Sequence, residues 1–213
     1  MTHSANLEIP SVNFKKPAWS FYLSWIVLTV LSIPIAYFFS ILILKLITNL
    51  VGDYVVVNGV RHISEDYLAM YILIPMLSVF TGALQFALLR QYLPRMGGWV
   101  LVTVAGWFLG AFLIVLPGWL DAPFSDLRLI FLLMGFAIGA SQWSFLRRRL
   151  TQAGWWIFAT AAGWGVLGLL SPANNSLDQF GLLALGFFPA CATAAVLAWL
   201  LSRDPQAEHQ RSV

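Results

Sequence analysis

The chain has 213 residues, of which 60% are hydrophobic and only 10% are charged. Soluble globular domains carry about 25% charged residues and roughly 45–50% apolar ones, so this composition excludes an ordinary soluble domain and makes a lipid bilayer the expected solvent. The net charge of +3 does not indicate nucleic-acid binding, because no basic helix face or aromatic-lined groove accompanies it in the sequence.

Six apolar stretches of about 20 residues follow one another along the chain, and each is long enough to cross a hydrocarbon core about 30 Å thick. They occupy residues 18–44, 67–90, 99–118, 127–147, 155–171 and 180–202. The stretches are continuously apolar rather than alternating, and a helix satisfies its own backbone polar groups in lipid. We therefore predict an all-α fold, a polytopic membrane protein with six transmembrane helices.

The segments around these stretches complete the predicted domain organisation. Residues 1–17 form a polar cytoplasmic arm, residues 18–203 a single six-helix transmembrane domain, and residues 204–213 a cytoplasmic tail. The loop after the first helix contains VVVNGVRH, in which an Asn-Gly pair between β-forming residues predicts a hairpin. Ser64 is the expected N-cap of the second helix.

The distribution of Lys and Arg predicts the orientation of the helices. With the N-terminus in the cytoplasm, the inner segments hold nine basic residues: Lys15, Lys16, Arg90, Arg95, Arg147, Arg148, Arg149, Arg203 and Arg211. The outer segments then hold three: Lys45, Arg61 and Arg128. The positive-inside rule therefore favours both termini in the cytoplasm of a bacterial plasma (inner) membrane, with a thylakoid membrane as the alternative.

Residues 82–107 align without a gap with residues 139–164. Twelve of the 26 aligned pairs are identical: Gly82/Gly139, Ala83/Ala140, Gln85/Gln142, Leu89/Leu146, Arg90/Arg147, Leu93/Leu150, Gly97/Gly154, Trp99/Trp156, Thr103/Thr160, Ala105/Ala162, Gly106/Gly163 and Trp107/Trp164. A general apolar bias does not readily align Gln, Arg, Trp and Thr, so we interpret these segments as a parallel internal repeat of two helical hairpins, at 67–118 and 127–171. A shorter match, AAVLAWLLSR at 194–203, would pair the sixth helix with the first as a third hairpin.

Each copy contains the phrase Gly-x-x-Gln-(Trp/Phe)-x-x-Leu-Arg, followed by a Trp nine residues after the Arg. In this phrase the chain resembles a group of uncharacterised six-span bacterial membrane proteins, seen often in cyanobacteria and Chloroflexi. The resemblance covers about residues 67–168. It implies the six-helix architecture, and it implies no particular activity, cofactor or catalytic residue.

The polar residues of the repeat define a candidate site on one face of each hairpin. Gly82 and Gln85 share a helix face, where a small residue allows close approach and an amide bonds across the seam. Helix rise places Gln85 level with Thr103, which predicts a contact inside the hairpin, either direct or through one water. The second copy repeats these residues as Gly139, Gln142 and Thr160. They either hold helices together, or the two glutamines line a shared pocket on the repeat axis.

The tryptophans and arginines of the repeat lie at two predicted depths. Trp107 and Trp164 are about 12 Å deeper than Trp99 and Trp156. They are expected to pack against a neighbouring glycine or to wall a cavity for a flat apolar ligand. An interfacial belt is predicted for Trp19, Trp99, Trp155 and Trp156. The cytoplasmic arginines either set the topology and extend toward the headgroups, or form a surface for anionic lipid or an acidic partner. They are Arg90, Arg147, Arg148 and Arg149.

The sequence places no carboxylate pair, His/Cys cluster or Ser-His arrangement at membrane depth, so we predict no catalytic residue and no metal ligand, and we do not favour an enzyme. We predict a non-enzymatic membrane scaffold or accessory subunit that holds a protein partner, lipid or apolar cofactor through Gly/Trp helix faces. The alternative is a small-solute or lipid binding or transport protein with a cavity between the repeats. The expected partners are the lipid bilayer and either a membrane protein complex or an anionic lipid; the cofactor stays unknown.

Overall fold

A computed structural model describes residues 18–93, 95–119, 127–170 and 179–203. This part of the chain forms six α-helices: α1 (Trp19–Val51), α2 (Ser64–Leu89), α3 (Trp99–Trp119), α4 (Leu127–Leu146), α5 (Trp155–Leu170) and α6 (Gln179–Ser202). The predicted all-helical class is confirmed, with one small antiparallel sheet between α1 and α2, made of β1 (Tyr54–Val57) and β2 (Val60–Ile63). The predicted arm at 1–17 and tail at 204–213 lie outside the described residues.

Among the described residues, three helices are long and apolar enough to cross a membrane, at Trp19–Val51, Tyr67–Leu89 and Arg128–Leu146. The described apolar parts of the other three are shorter: Trp99–Leu113, Trp155–Leu170 and Gly186–Ser202. Every one of these helices carries large apolar side chains that are exposed, among them Leu46, Met70, Leu101, Phe136, Phe158 and Phe187. An outer surface with so many exposed apolar groups is typical of a protein that faces lipid.

The six helices close into a ring in chain order. Each helix packs against the helix before it and the helix after it, and α6 packs against α1. Tight turns reverse the chain between α2 and α3 and between α4 and α5. The described residues of the first turn are 90–93 and 95–98, and the second turn is formed by 147–154. Arg95 and Gln152 take the same place in these turns and share a left-handed backbone, with φ of 56° and 60°. We call the end of the ring that carries both turns the basic end.

The repeated glycines bring the helices of each hairpin close together. A Cβ added at Gly82 would lie 3.2 Å from Cβ of Thr103, and one added at Gly139 would lie 3.0 Å from Cβ of Thr160. Both distances are shorter than ordinary van der Waals contact, so a larger residue would push the helices apart. The two hairpins therefore share the same helix-to-helix approach.

The β-hairpin forms where the Asn-Gly pair predicts it. Asn58 and Gly59 both have positive φ, 52° and 80°, as the favoured two-residue hairpin turn requires. The predicted N-cap role of Ser64 is wrong, because Ile63 takes the N-cap position. The hydroxyl of Ser64 instead donates to the carbonyl of Gly52 at 2.6 Å, and this bond ties the base of the hairpin to the start of α2.

Candidate functional site

A cavity of about 40 Å³ lies at the centre of the ring. All six helices contribute to its lining: Thr29, Ile33, Thr81, Gln85, Trp107, Ile138, Gln142, Trp156, Thr160, Trp164, Gly186, Pro189 and Thr193. These described lining residues include two amides and four threonine hydroxyls, but no side chain that carries a charge near neutral pH. The cavity thus lies between the two repeated glutamines. Most of its lining surface is apolar, and the amides and hydroxyls are spaced within it.

Gln142 is hydrogen-bonded at both ends of its buried amide. Its Nε2 donates to Oγ1 of Thr103 at 3.1 Å, and its Oε1 accepts the indole N–H of Trp156 at 2.9 Å. The first bond joins α4 to α3, and the second joins α4 to α5. Gln142 therefore connects three consecutive helices of the ring.

Gln85 occupies the corresponding position in the first hairpin but is bonded at one end only. Its Nε2 donates to Oγ1 of Thr29 at 3.3 Å. Within the described part of the chain, neither Oε1 of Gln85 nor Nε1 of Trp99 has a hydrogen-bond partner, although both atoms are buried. The bond between Trp156 and Gln142 thus has no counterpart between Trp99 and Gln85. Buried polar atoms without partners are rare because they are costly.

The predicted contacts of Gln85 with Thr103 and of Gln142 with Thr160 are not direct hydrogen bonds in the structure. Each glutamine bonds instead to the threonine of the preceding helix in the ring, Thr29 on α1 or Thr103 on α3. The hydroxyl of Thr160 donates to the backbone carbonyl of its own helix, and Trp156 takes the amide oxygen of Gln142. Helix rise predicted the correct depth, but the ring gives each helix two neighbours, and the amides turn to the other one.

Three tryptophans fill the axis of the ring toward the basic end. Trp25, Trp99 and Trp156 are fully buried, and the ring centroid of Trp156 lies 5.9 Å from that of Trp25 and 6.0 Å from that of Trp99. Trp99 and Trp156 therefore face the inside of the ring, whereas a belt residue would face outward. By contrast, Trp19 and Trp155 are exposed, at 81% and 57%. Large flat rings fill the centre of a six-helix ring where smaller side chains would leave a void.

A second aromatic layer lies on the other side of the cavity. Trp107 and Trp164 meet edge to face, with ring centroids 5.3 Å apart, and Ile33 packs in the same buried cluster. Trp164 meets both sequence expectations, because it lines the cavity and its Cβ lies 2.7 Å from where a Cβ on Gly135 would be. The polar layer of threonines and glutamines is therefore held between two apolar aromatic layers.

The first and last helices supply site residues that the sequence interpretation missed. The indole of Trp25 donates to Oγ1 of Thr193 at 3.0 Å, where Trp156 uses Gln142. The spacing Trp25-x-x-x-Thr29 equals that of the repeat, Trp99-x-x-x-Thr103, and was the signal that could have identified α1. Thr193 offered no such signal, since the short match at 194–203 implied a different register.

The remaining predicted residues lie outside the cavity. Gly82 and Gly139 form close helix contacts, and Thr103 reaches the site only through Gln142. Three of the four arginines are exposed at the basic end, and Arg149 is partly buried. The structure therefore brings the amides, threonines and inner tryptophans together at the centre of the ring. The arginines lie apart from them, at the basic end.

Within the described residues, no group of three or more His, Cys, Asp and Glu side chains is placed to hold a metal ion. No protein-family model, no curated protein and no solved structure matches the chain. The function is therefore inferred from the geometry of the cavity.

Proposed function

We propose that the chain is a six-span integral membrane protein that binds a small, uncharged, hydrogen-bonding solute at its centre and passes it across the membrane. The observation that carries this proposal is the cavity itself, to which all six helices contribute and which both repeated glutamines line. Ligand and transport sites in helical membrane proteins commonly lie near the bilayer midplane between repeats.

The six-span arrangement is supported by the ring. Three helices are long enough to span, and α3, α5 and α6 pack between them as equal members of the ring, with apolar outer faces. A helix that shares a ring with spanning helices must face the same lipid. The concentration of arginines at the basic end supports a cytoplasmic position for that end.

The size and polarity of the cavity limit its ligand. One water molecule needs roughly 10–15 Å³, so about 40 Å³ accommodates about three waters or one solute of similar size. The described lining offers hydroxyl and amide groups but no countercharge, and transfer of an unpaired ion into such a site is very costly. Small amides and similar neutral solutes fit both conditions.

Gln85 has a buried hydrogen-bonding atom that lacks a partner in the described structure. The amide of Gln142 is engaged at both ends with Thr103 and Trp156, whereas Oε1 of Gln85 has no partner in the described structure. A solute that donates a hydrogen bond to this oxygen would satisfy it without breaking the network. Gln142 then has mainly a structural role, and Gln85 a binding role.

The parallel repeat is part of the proposal and extends to three hairpins, α2–α3, α4–α5 and α6–α1. Support comes from two glycines with matching surroundings. A Cβ at Gly135 would meet Trp164 at 2.7 Å and Ala161 at 2.9 Å, and a Cβ at Gly186 would meet Ile33 at 2.7 Å and Val30 at 3.1 Å. In this register Thr193 is the counterpart of Gln142. The shorter match at 194–203 would instead pair Ala198 with Gln142.

The same contacts make the scaffold function less favoured. The Gly faces that would hold a partner are occupied by this chain's own helices: a Cβ at Gly106 would lie 2.8 Å from Cα of Ile138, and one at Gly163 would lie 2.6 Å from Cα of Pro189. The inner tryptophans also pack on one another rather than outward. We therefore place the solute function first.

The test is solute flux into proteoliposomes that contain the purified full chain. Stopped-flow light scattering compares formamide, urea and acetamide with glycerol, which is larger. Wild-type protein is expected to admit at least one small amide faster than protein-free liposomes do, and to exclude glycerol. Gln85→Leu is expected to abolish the excess flux.

Ser144→Ala is the matched control, because this hydroxyl bonds to the carbonyl of Ser141 on the exposed face of α4. It should leave the flux unchanged. Wild-type flux equal to that of protein-free liposomes for every solute would overturn the proposal. Full flux through Gln85→Leu would remove Gln85 from the binding role.

A further inference from the structure

Arg149 links the two turns at the basic end. Its Nη1 donates to the carbonyl of Phe145 at 3.0 Å, and its Nη2 donates to the carbonyl of Arg95, in the turn of the other hairpin, at 2.9 Å. The guanidinium also lies 3.8 Å above the ring of Phe145. That ring fits against Gly98, where an added Cβ would lie only 2.7 Å from Cε2 of Phe145. Arg149 is thus held in one place by neutral groups.

Two further arginines, Arg148 and Arg95, affect the pKa of Arg149. Burial first, and then the positive charges of Arg148 and Arg95, lower the pKa of Arg149 from its usual value. Among the described residues, the acidic side chains Asp53 and Glu65 lie beside the β-hairpin at the opposite end of the ring. Arg148 adjoins Arg149 in the chain, and the carbonyl of Arg95 accepts a hydrogen bond from Arg149. The three arginines therefore share a small region in which no described carboxylate lies. The positive-inside rule needs positive charge on one side but does not require that the charges cluster.

We propose that Arg95, Arg148 and Arg149 form a binding site for the phosphate of an anionic phospholipid headgroup. Guanidinium groups bind phosphate through paired, charge-assisted hydrogen bonds, and a phosphate placed among these three cations would remove their mutual repulsion. The exposed apolar side chains on the outer faces of the helices offer a surface for the acyl chains. The site rests on the membrane placement proposed above, but not on the solute cavity.

Arg147 and Arg203 are not part of this site. The guanidinium of Arg147 lies 5.0 Å from the ring of Trp143, and that of Arg203 lies 4.6 Å from the ring of Trp199. Each is paired with an aromatic ring of its own helix. Arg147 is therefore a matched control, one residue away from the cluster.

The experiment measures lipid retention by native mass spectrometry of the full chain in detergent, after incubation with phosphatidylglycerol, phosphatidylcholine or inorganic phosphate. The test variant is Arg95→Gln with Arg148→Gln, which keeps the structural Arg149. Glutamine suits position 95, because Gln152 has the same backbone conformation in the other turn. Wild-type protein is expected to retain phosphatidylglycerol over phosphatidylcholine. The double variant should lose roughly thirtyfold in apparent affinity, as expected when two cations leave a headgroup site.

Arg147→Gln should behave as wild type, and near-native thermal unfolding of the double variant would show that the fold is intact. Equal retention of both lipids by wild-type protein, or the same loss in Arg147→Gln as in the double variant, would overturn the proposal. Retention of inorganic phosphate as strong as that of phosphatidylglycerol would also contradict the proposal, because a free anion would then be the ligand. None of these readouts involves solute flux, so failure of the lipid site and failure of the cavity are distinguishable.

Discussion

The indole N–H of Trp156 donates to Oε1 of Gln142 at 2.9 Å, and this bond closes a buried chain that runs from Thr103 through Gln142 to α5. In the preceding hairpin, Trp99 and Gln85 have the same separation in sequence, yet the matching atoms have no partner in the described structure. The two glutamines are equivalent in sequence but differ in what they contribute. One supports the fold, and the other has hydrogen-bonding capacity left for a ligand.

This asymmetry predicts unequal effects of the same substitution. Gln142→Leu leaves the buried indole of Trp156 and the hydroxyl of Thr103 without their partner, which should cost about 1–2 kcal/mol of unfolding free energy. Gln85→Leu removes only a 3.3 Å bond to Thr29 and should cost no more than about 0.6 kcal/mol. Reversible denaturation in mixed micelles measures both. A larger loss for Gln85→Leu would contradict the assignment of roles.

Thr193 should behave as the structural counterpart of Gln142 in the α6–α1 hairpin. Thr193→Val keeps the shape of the side chain but leaves the buried indole of Trp25 without its acceptor, which lies at 3.0 Å. We expect a loss of about 1–2 kcal/mol in the same denaturation measurement. The control is Thr151→Val, at an exposed position in the turn. If the two valine variants unfold alike, the bond between α1 and α6 contributes little.

Gly163 should tolerate no larger side chain. A Cβ there would lie 2.6 Å from Cα of Pro189 and 3.0 Å from the carbonyl oxygen of Phe188, and both are backbone atoms that cannot rotate away. Gly163→Ala must separate α5 from α6, at a cost of about 1–3 kcal/mol. Gly154→Ala is the control, because nothing lies within 4 Å of its added Cβ. Comparable thermal stability of the two alanine variants would show that α5 and α6 pack less closely than this.

The β-hairpin and the basic end should label from opposite sides of the membrane. In a Cys191→Ala background, Val56→Cys lies on an exposed strand position and Thr151→Cys on the exposed turn between α4 and α5. A membrane-impermeant maleimide added to intact cells should modify Val56→Cys and should reach Thr151→Cys only after permeabilisation. Labelling of both cysteines in intact cells would refute the six-span topology. Labelling of the turn alone would mean that the protein has the opposite orientation in the membrane.

Much of the architecture could be predicted from the sequence, because apolar run length and turn chemistry are local properties. The six helices begin and end within a few residues of their predicted bounds, except that α1 continues past residue 44 to Val51. The Asn58–Gly59 turn was equally readable, since few residues accept positive φ at both positions. The repeat also singles out Gln85, Gln142, Trp107 and Trp164, all of which are buried and line the cavity.

Composition and spacing by themselves determined that this chain forms apolar helices. They also singled out Gln85, Gln142, Trp107 and Trp164 as candidate residues of a pocket or of a helix seam. They did not determine which partner each side chain takes, because spacing along one helix specifies depth and face but not the neighbouring helix. Only the closed ring decided that Gln142 bonds to Thr103 and that Trp25 bonds to Thr193. It also turned Trp99 and Trp156 toward the inside of the ring rather than outward, since closing six helices creates an axis that large side chains must fill.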